Sequence, residues 1–223
     1  MFIPILSAVT AIFAMLTIVL RRKGKSFDGM LCKFISSFGF MSIAFIGFCY
    51  HLQHPFYFCL VVFGLGGDVL LGIKEIAPKY KTRLIALGTL SFLISHVFYL
   101  SAFFREEPRF SFIPLLVTAV VTAVIAVLIK VFKMKVDNKM YVLMIIYFFL
   151  IAYSAAVAGY IYFVTRRETF LIAFIASLLF VFSDSVLSFV YFTPTKSKNR
   201  LVTLELTTYY IGQILMAVTV YTI

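Results

Sequence analysis

Charge is scarce in this sequence. Only 13% of its 223 residues are charged, while 63% are hydrophobic. An ordinary soluble domain carries about 25% charged residues. A soluble core of this length has no room for so much apolar surface, so lipid must solvate part of the chain. Histidine is equally scarce. His51, His54 and His96 are the only three, too few and too scattered for a hydrolytic zinc site, which needs about three good ligands. No metal or other cofactor is expected. Cys32, Cys49 and Cys59 lie in or at the ends of apolar runs. Their spacing fits neither a disulfide framework nor a zinc knuckle, and they read as small apolar packing residues. A bridge across the short loop between Cys49 and Cys59 stays open.

Other absences narrow the chemistry further. There is no phosphate-binding loop or dinucleotide fingerprint, because the cluster Gly64, Gly66 and Gly67 sits inside an apolar run. There is no strand-turn-helix setting for a nucleophilic serine. Ser95 and His96 are adjacent, so on a helix they point about 100° apart. No polar tail, low-complexity tract or long linker interrupts residues 1–223, which read as a single integral membrane domain.

What is present is a series of apolar runs, at 2–20, 30–50, 55–73, 83–104, 111–131, 140–163, 168–191 and 201–222. Each is near the roughly 20 residues that a transmembrane helix needs. The expected fold is therefore all-α, a polytopic bundle of eight spans. The first run is not read as a cleaved signal, since no basic segment precedes it and Arg21, Arg22 and Lys23 follow it. The net charge of +11 lies between the runs, which is a topology pattern and not a nucleic-acid groove.

The odd-numbered loops hold fifteen Lys and Arg: Arg21, Arg22, Lys23, Lys25; Lys74, Lys79, Lys81, Arg83; Lys130, Lys133, Lys135, Lys139; Lys196, Lys198 and Arg200. The even loops hold four, Arg105, Arg109, Arg166 and Arg167. This asymmetry predicts cytoplasmic odd loops and both termini on the other side. The membrane is then a bacterial inner membrane or that of the endoplasmic reticulum.

Ionisable groups inside a bilayer cost at least about 2.5 kcal/mol each, so they are functional candidates. Here they are Lys33, Asp68, His96, Asp184 and Glu205, joined by the uncharged Tyr147, Tyr210 and Gln213. Counted from the span ends, Lys33, Asp68, Tyr147, Asp184 and Glu205 fall toward the basic side, and His96 and Gln213 near mid-membrane. Structural roles compete with functional ones. Lys33 neutralises Asp68 or Asp184 for packing, Lys33 and Glu205 snorkel to the interface, or Tyr147 and Gln213 tie helices together.

Gly64, Gly66, Gly67 and Gly72 surround Asp68 and predict close helix approach there. His96 follows Asp68 by 28 residues and Gln213 follows Asp184 by 29, a spacing consistent with two parallel four-helix halves. Two carboxylates facing one semi-dry cavity suit acid-base chemistry. One keeps its proton, and a cation keeps the other ionised. Such a pair hydrolyses ether or acetal-like bonds through an oxocarbenium-like intermediate.

The residues also resemble a known family, the lysoplasmalogenase-like YhhN family of eight-span membrane proteins. The resemblance rests on Gly67-Asp68-Val69-Leu70-Leu71, on Gly88, Phe92, His96 and Tyr99, on Ser183-Asp184-x-x-Leu187, and on Tyr210-x-x-Gln213. Lys33 is similar to the family's lysine near the start of span 2, although Phe34 stands where relatives often have proline. The resemblance implies hydrolysis of the vinyl-ether bond of a lysophospholipid, the lysoplasmalogen, to a fatty aldehyde and a glycerophospho-alcohol. It makes Asp68 and Asp184 the catalytic pair, and it leaves Lys33, His96, Tyr147, Tyr210, Gln213 and Glu205 to bind and position the lipid. Two rivals stand beside it. A proton-coupled transporter or lipid carrier also uses intramembrane Asp and His, and a non-enzymatic lipid-binding scaffold would bind without turnover.

Overall fold

The computed structural model describes residues 2–50, 55–107 and 111–222, in which every regular element is helical. Among the described residues the helices are α1 (Phe2–Arg22), α2 (Ser26–Tyr50), α3 (Pro55–Ile73), α4 (Lys81–Glu106), α5 (Phe112–Val131), α6 (Asn138–Thr165), α7 (Glu168–Phe192) and α8 (Lys198–Thr222). A 3₁₀ turn, Pro78–Tyr80, leads into α4. The helices extend the expected runs by at most a few residues. His51, His54 and Arg109 lie outside the described residues.

Among the described residues, seven helices are long and apolar enough to cross a membrane. The eighth, α3, contributes the apolar stretch Phe58–Ile73 among the described residues. The whole helix runs 19 residues, about 28 Å at 1.5 Å per residue, close to the roughly 30 Å hydrocarbon core. The expectation of eight crossings is met approximately. Lys74, directly after α3, is buried.

Helix boundaries follow from local chemistry. Asp137 caps α6, its carboxylate accepting from the Met140 amide at 2.9 Å. Ser111 caps α5 by accepting from the Ile113 amide at 3.2 Å. Gly24 takes a positive φ of 74° in the tight turn from α1 to α2, where a Cβ would be strained. Apolar side chains also populate the outside. On α5, Phe112, Leu116, Val120, Val124, Val127 and Val131 are exposed while Pro114, Thr118, Ile125 and Ile129 are buried. An outward apolar face of that length is what acyl chains cover.

The chain divides into two compact units, Met1–Phe98 with Ala217–Ile223, and Tyr99–Met216. The boundaries fall inside α4 and α8 and not in loops. In the first unit, small residues bring helices together. A Cβ on Gly67 would lie 2.6 Å from the Phe92 ring, and one on Gly88 would lie 3.0 Å from Leu71. Ser91 and Ser95 of α4 each donate to α3 carbonyls, of Phe63 and Leu60, at 2.6 Å. Gly47 of α2 packs on the end of α8, where a Cβ would come within 2.8 Å of the Tyr221 Cα. In the second unit α6 packs against both α5 and α7, and Gly212 of α8 passes close to the Ala176 carbonyl of α7.

Candidate functional site

In the first unit, Asp68 is fully buried on α3. Its Oδ1 lies 2.9 Å from Lys33 Nζ. Its Oδ2 accepts from Ser37 Oγ at 2.7 Å. Lys33 and Ser37 are four residues apart on α2, so one helical face delivers both. The sequence left Lys33 with two possible partners, and the fold gives it Asp68. Lys33 is 5% exposed, so it does not reach out to the interface. Ser37 is a partner that the sequence reading missed. The only signal for it was its spacing from Lys33.

His96 is also buried in this unit. Its neighbour Ser95 sits at the level of Leu60. That is eight residues from Asp68 along α3, about 12 Å, so His96 belongs to a different layer of the bundle.

In the second unit, Asp184 of α7 accepts a hydrogen bond from the Tyr147 hydroxyl of α6. Both side chains are buried. The preceding residue, Ser183, donates to the Glu205 backbone carbonyl at 3.1 Å and fixes α7 against α8. Glu205 is buried too, which removes the snorkelling alternative. Further along α8, Gln213 Nε2 donates to the Tyr209 hydroxyl at 2.7 Å. Tyr209 was missed by the sequence reading, and it packs edge-on against Tyr210 with ring centroids 5.5 Å apart. Glu205, Tyr209 and Gln213 recur every four residues and form one polar stripe.

A cavity of about 300 Å³ lies on the same helices as the Tyr147–Asp184 pair, but neither of those two side chains lines it. It is walled by Ile125, Ile129, Phe132, Phe148, Phe189 and Leu201, with Ser185 among its few polar groups. Phe148 and Ser185 directly follow Tyr147 and Asp184 in the chain. The cavity lies where α5 and α7 end and α8 begins, and the Lys135 amide, donating to the Phe192 carbonyl at 2.8 Å, ties its roof together. Lys130, Lys133 and Lys135 alternate with the cavity-lining Ile129, Phe132 and Met134 and are exposed. A volume of 300 Å³ is at the small end of ligand sites, and its apolar walls suit a hydrocarbon chain. Among the described residues, no three His, Cys, Asp or Glu side chains converge as a metal site would require.

The fold and these sites define a class: an integral, multi-pass helical membrane protein with two buried aspartates, Asp68 held by a cation and Asp184 by a hydroxyl donor. More narrowly, the chain matches the YhhN family over residues 29–220 and belongs to it. No curated protein and no solved structure matches it.

Proposed function

We propose that this protein is a membrane hydrolase that cleaves the vinyl-ether bond of lysoplasmalogens, with Asp184 and Asp68 as its catalytic carboxylates. Membership of the YhhN family supports the substrate class. The observation that carries the site is the buried Tyr147–Asp184 pair, whose chain neighbours Phe148 and Ser185 line an apolar cavity at the lysine-rich end of the unit. In this reading the alkenyl chain lies in the cavity. A carboxyl group protonates the vinyl carbon remote from the ether oxygen, which gives an oxocarbenium ion. Water adds to that ion and returns a proton to the carboxylate. The resulting hemiacetal collapses to the aldehyde and the glycerophospho-alcohol. One water is consumed, and no redox partner is needed.

Tyr147 positions Asp184. Lys33 and Ser37 compensate the charge of Asp68 where the bilayer cannot. Glu205, Tyr210 and Gln213, with Tyr209, are assigned to the glycerol end of the lipid, and His96 remains a substrate-contact candidate on α4. The lipid enters from the cytoplasmic leaflet, following the basic loops.

The test is aldehyde release from lysoplasmalogen by purified protein in detergent, without any ion gradient. Asp184→Asn and Asp68→Asn are each expected to lower kcat by about 10²–10⁴-fold, the usual range for a lost acid-base group. Full turnover in the double variant would exclude the assignment. Activity that needs a gradient would favour the carrier reading instead.

A further inference from the structure

A second cluster of charge lies in the first unit, around Glu75. Arg21 stands in the last turn of α1, before the segment matched to the family. Its stem is pressed against α2 at Gly29, where an added Cβ would lie 3.0 Å from Arg21 Cγ. Its Nη2 is 4.0 Å from Glu75 Oε1, close enough for attraction but beyond hydrogen-bond distance. Nε and Nη2 are both buried and have no hydrogen-bond partner. These two atoms form one edge of the guanidinium, the edge that grips a planar or tetrahedral oxyanion with two parallel bonds.

Lys74 is buried beside it and paired with Glu75. Glu75 itself is one-third exposed. Burial alone would push the Glu75 carboxyl up. Lys74 beside it, reinforced by Arg21 and Lys33, outweighs burial and holds it below the ordinary carboxylate value. A guanidinium edge buried without hydrogen-bond acceptors lacks an anion.

We propose that Arg21 and Lys74 form a phosphate-binding site at the end of α1 and α3, with Glu75 as the resident counter-ion that swings outward when phosphate arrives. The ligand chemistry is a phosphate group with at least two free oxygens. Its source is a phospholipid headgroup at the membrane surface or free phosphate. The inference is independent of the hydrolase reading, since Asp68 and Asp184 take no part in it. Glu75, the most exposed member, is the element free to move. Lys74 and Arg21 are held by packing.

The experiment uses the full-length protein in a phosphate-free, non-ionic detergent. Thermal melting and ³¹P line width are followed against inorganic phosphate and, separately, against glycerophosphocholine, with sodium chloride matched for ionic strength. Either ligand is expected to raise the melting temperature saturably and to broaden its own resonance. Saturation by glycerophosphocholine assigns the site to lipid headgroups. Saturation by inorganic phosphate alone assigns it to the free ion. Arg21→Lys keeps the charge and the stem but loses the two-pronged edge, and it should weaken binding about tenfold. Glu75→Gln removes the competing carboxylate and should tighten binding about fivefold, an effect that a purely structural ion pair does not predict. The proposal is overturned if neither ligand exceeds the chloride control, or if wild type, Arg21→Lys and Glu75→Gln respond alike.

Discussion

Asp68 and Asp184 each have identified partners at the level of single side chains. Asp68 has a full counter-charge in Lys33 and a second donor in Ser37. Asp184 accepts from the Tyr147 hydroxyl. Removing one half of a buried ion pair strands the other charge. Lys33→Met should therefore destabilise the protein by about 3–5 kcal/mol. Adding Asp68→Leu to that variant should recover most of the loss, because the stranded charge goes with it. Melting of the single and double variants in detergent checks this, and equal melting of the two would contradict it. Tyr147→Phe keeps the aromatic ring packed against Phe148 but deletes the hydroxyl. It should cost about 1–3 kcal/mol of stability, because a buried acceptor loses a donor, and lower kcat at least tenfold, with little change in KM, if the hydroxyl positions a catalytic carboxyl.

Glycine placement governs the elements. Gly47 lets α2 lie against the backbone of α8, and a methyl there would meet the Tyr221 amide nitrogen at 2.9 Å and the Val220 carbonyl at 2.9 Å. Backbone cannot rotate away as a side chain can. Gly47→Ala should cost about 1–3 kcal/mol through overpacking. Gly64 makes a useful control, because its Cβ would find only Ser95 Oγ, at 3.8 Å. Gly64→Ala should be neutral or slightly stabilising, since it also restricts the unfolded chain. Unchanged melting of Gly47→Ala would mean that α2 and α8 are not packed as described. Directly after α3, Lys74 is buried with Glu75 beside it.

For the whole molecule, the basic loops set the expected orientation. A single cysteine replacing Lys133, in a variant whose Cys32, Cys49 and Cys59 are serine, should react with a membrane-impermeant maleimide only from the cytoplasmic side. One placed at Glu168, at the start of α7, should react only from the opposite side. Reversed labelling would overturn the topology, and with it the leaflet from which lipid is proposed to enter.

Much of the membrane architecture was legible beforehand, because hydrocarbon forces every backbone group into its own helix and leaves apolar runs and basic loops as direct signatures. The eight helices and the candidates Lys33, Asp68, Asp184, Tyr147, Glu205 and Gln213 could be read from single positions along the chain. Their pairing could not. Whether Lys33 served Asp68 or Asp184, that Ser37 and Tyr209 would join them, and that the edge of Arg21 would be buried without an acceptor all depend on which helical faces meet. Helix rotation and crossing are set by interlocking side chains and glycine contacts between distant segments. A one-dimensional pattern of apolar and polar residues therefore determines which segments cross the membrane, and only their packing decides which charges come to face one another.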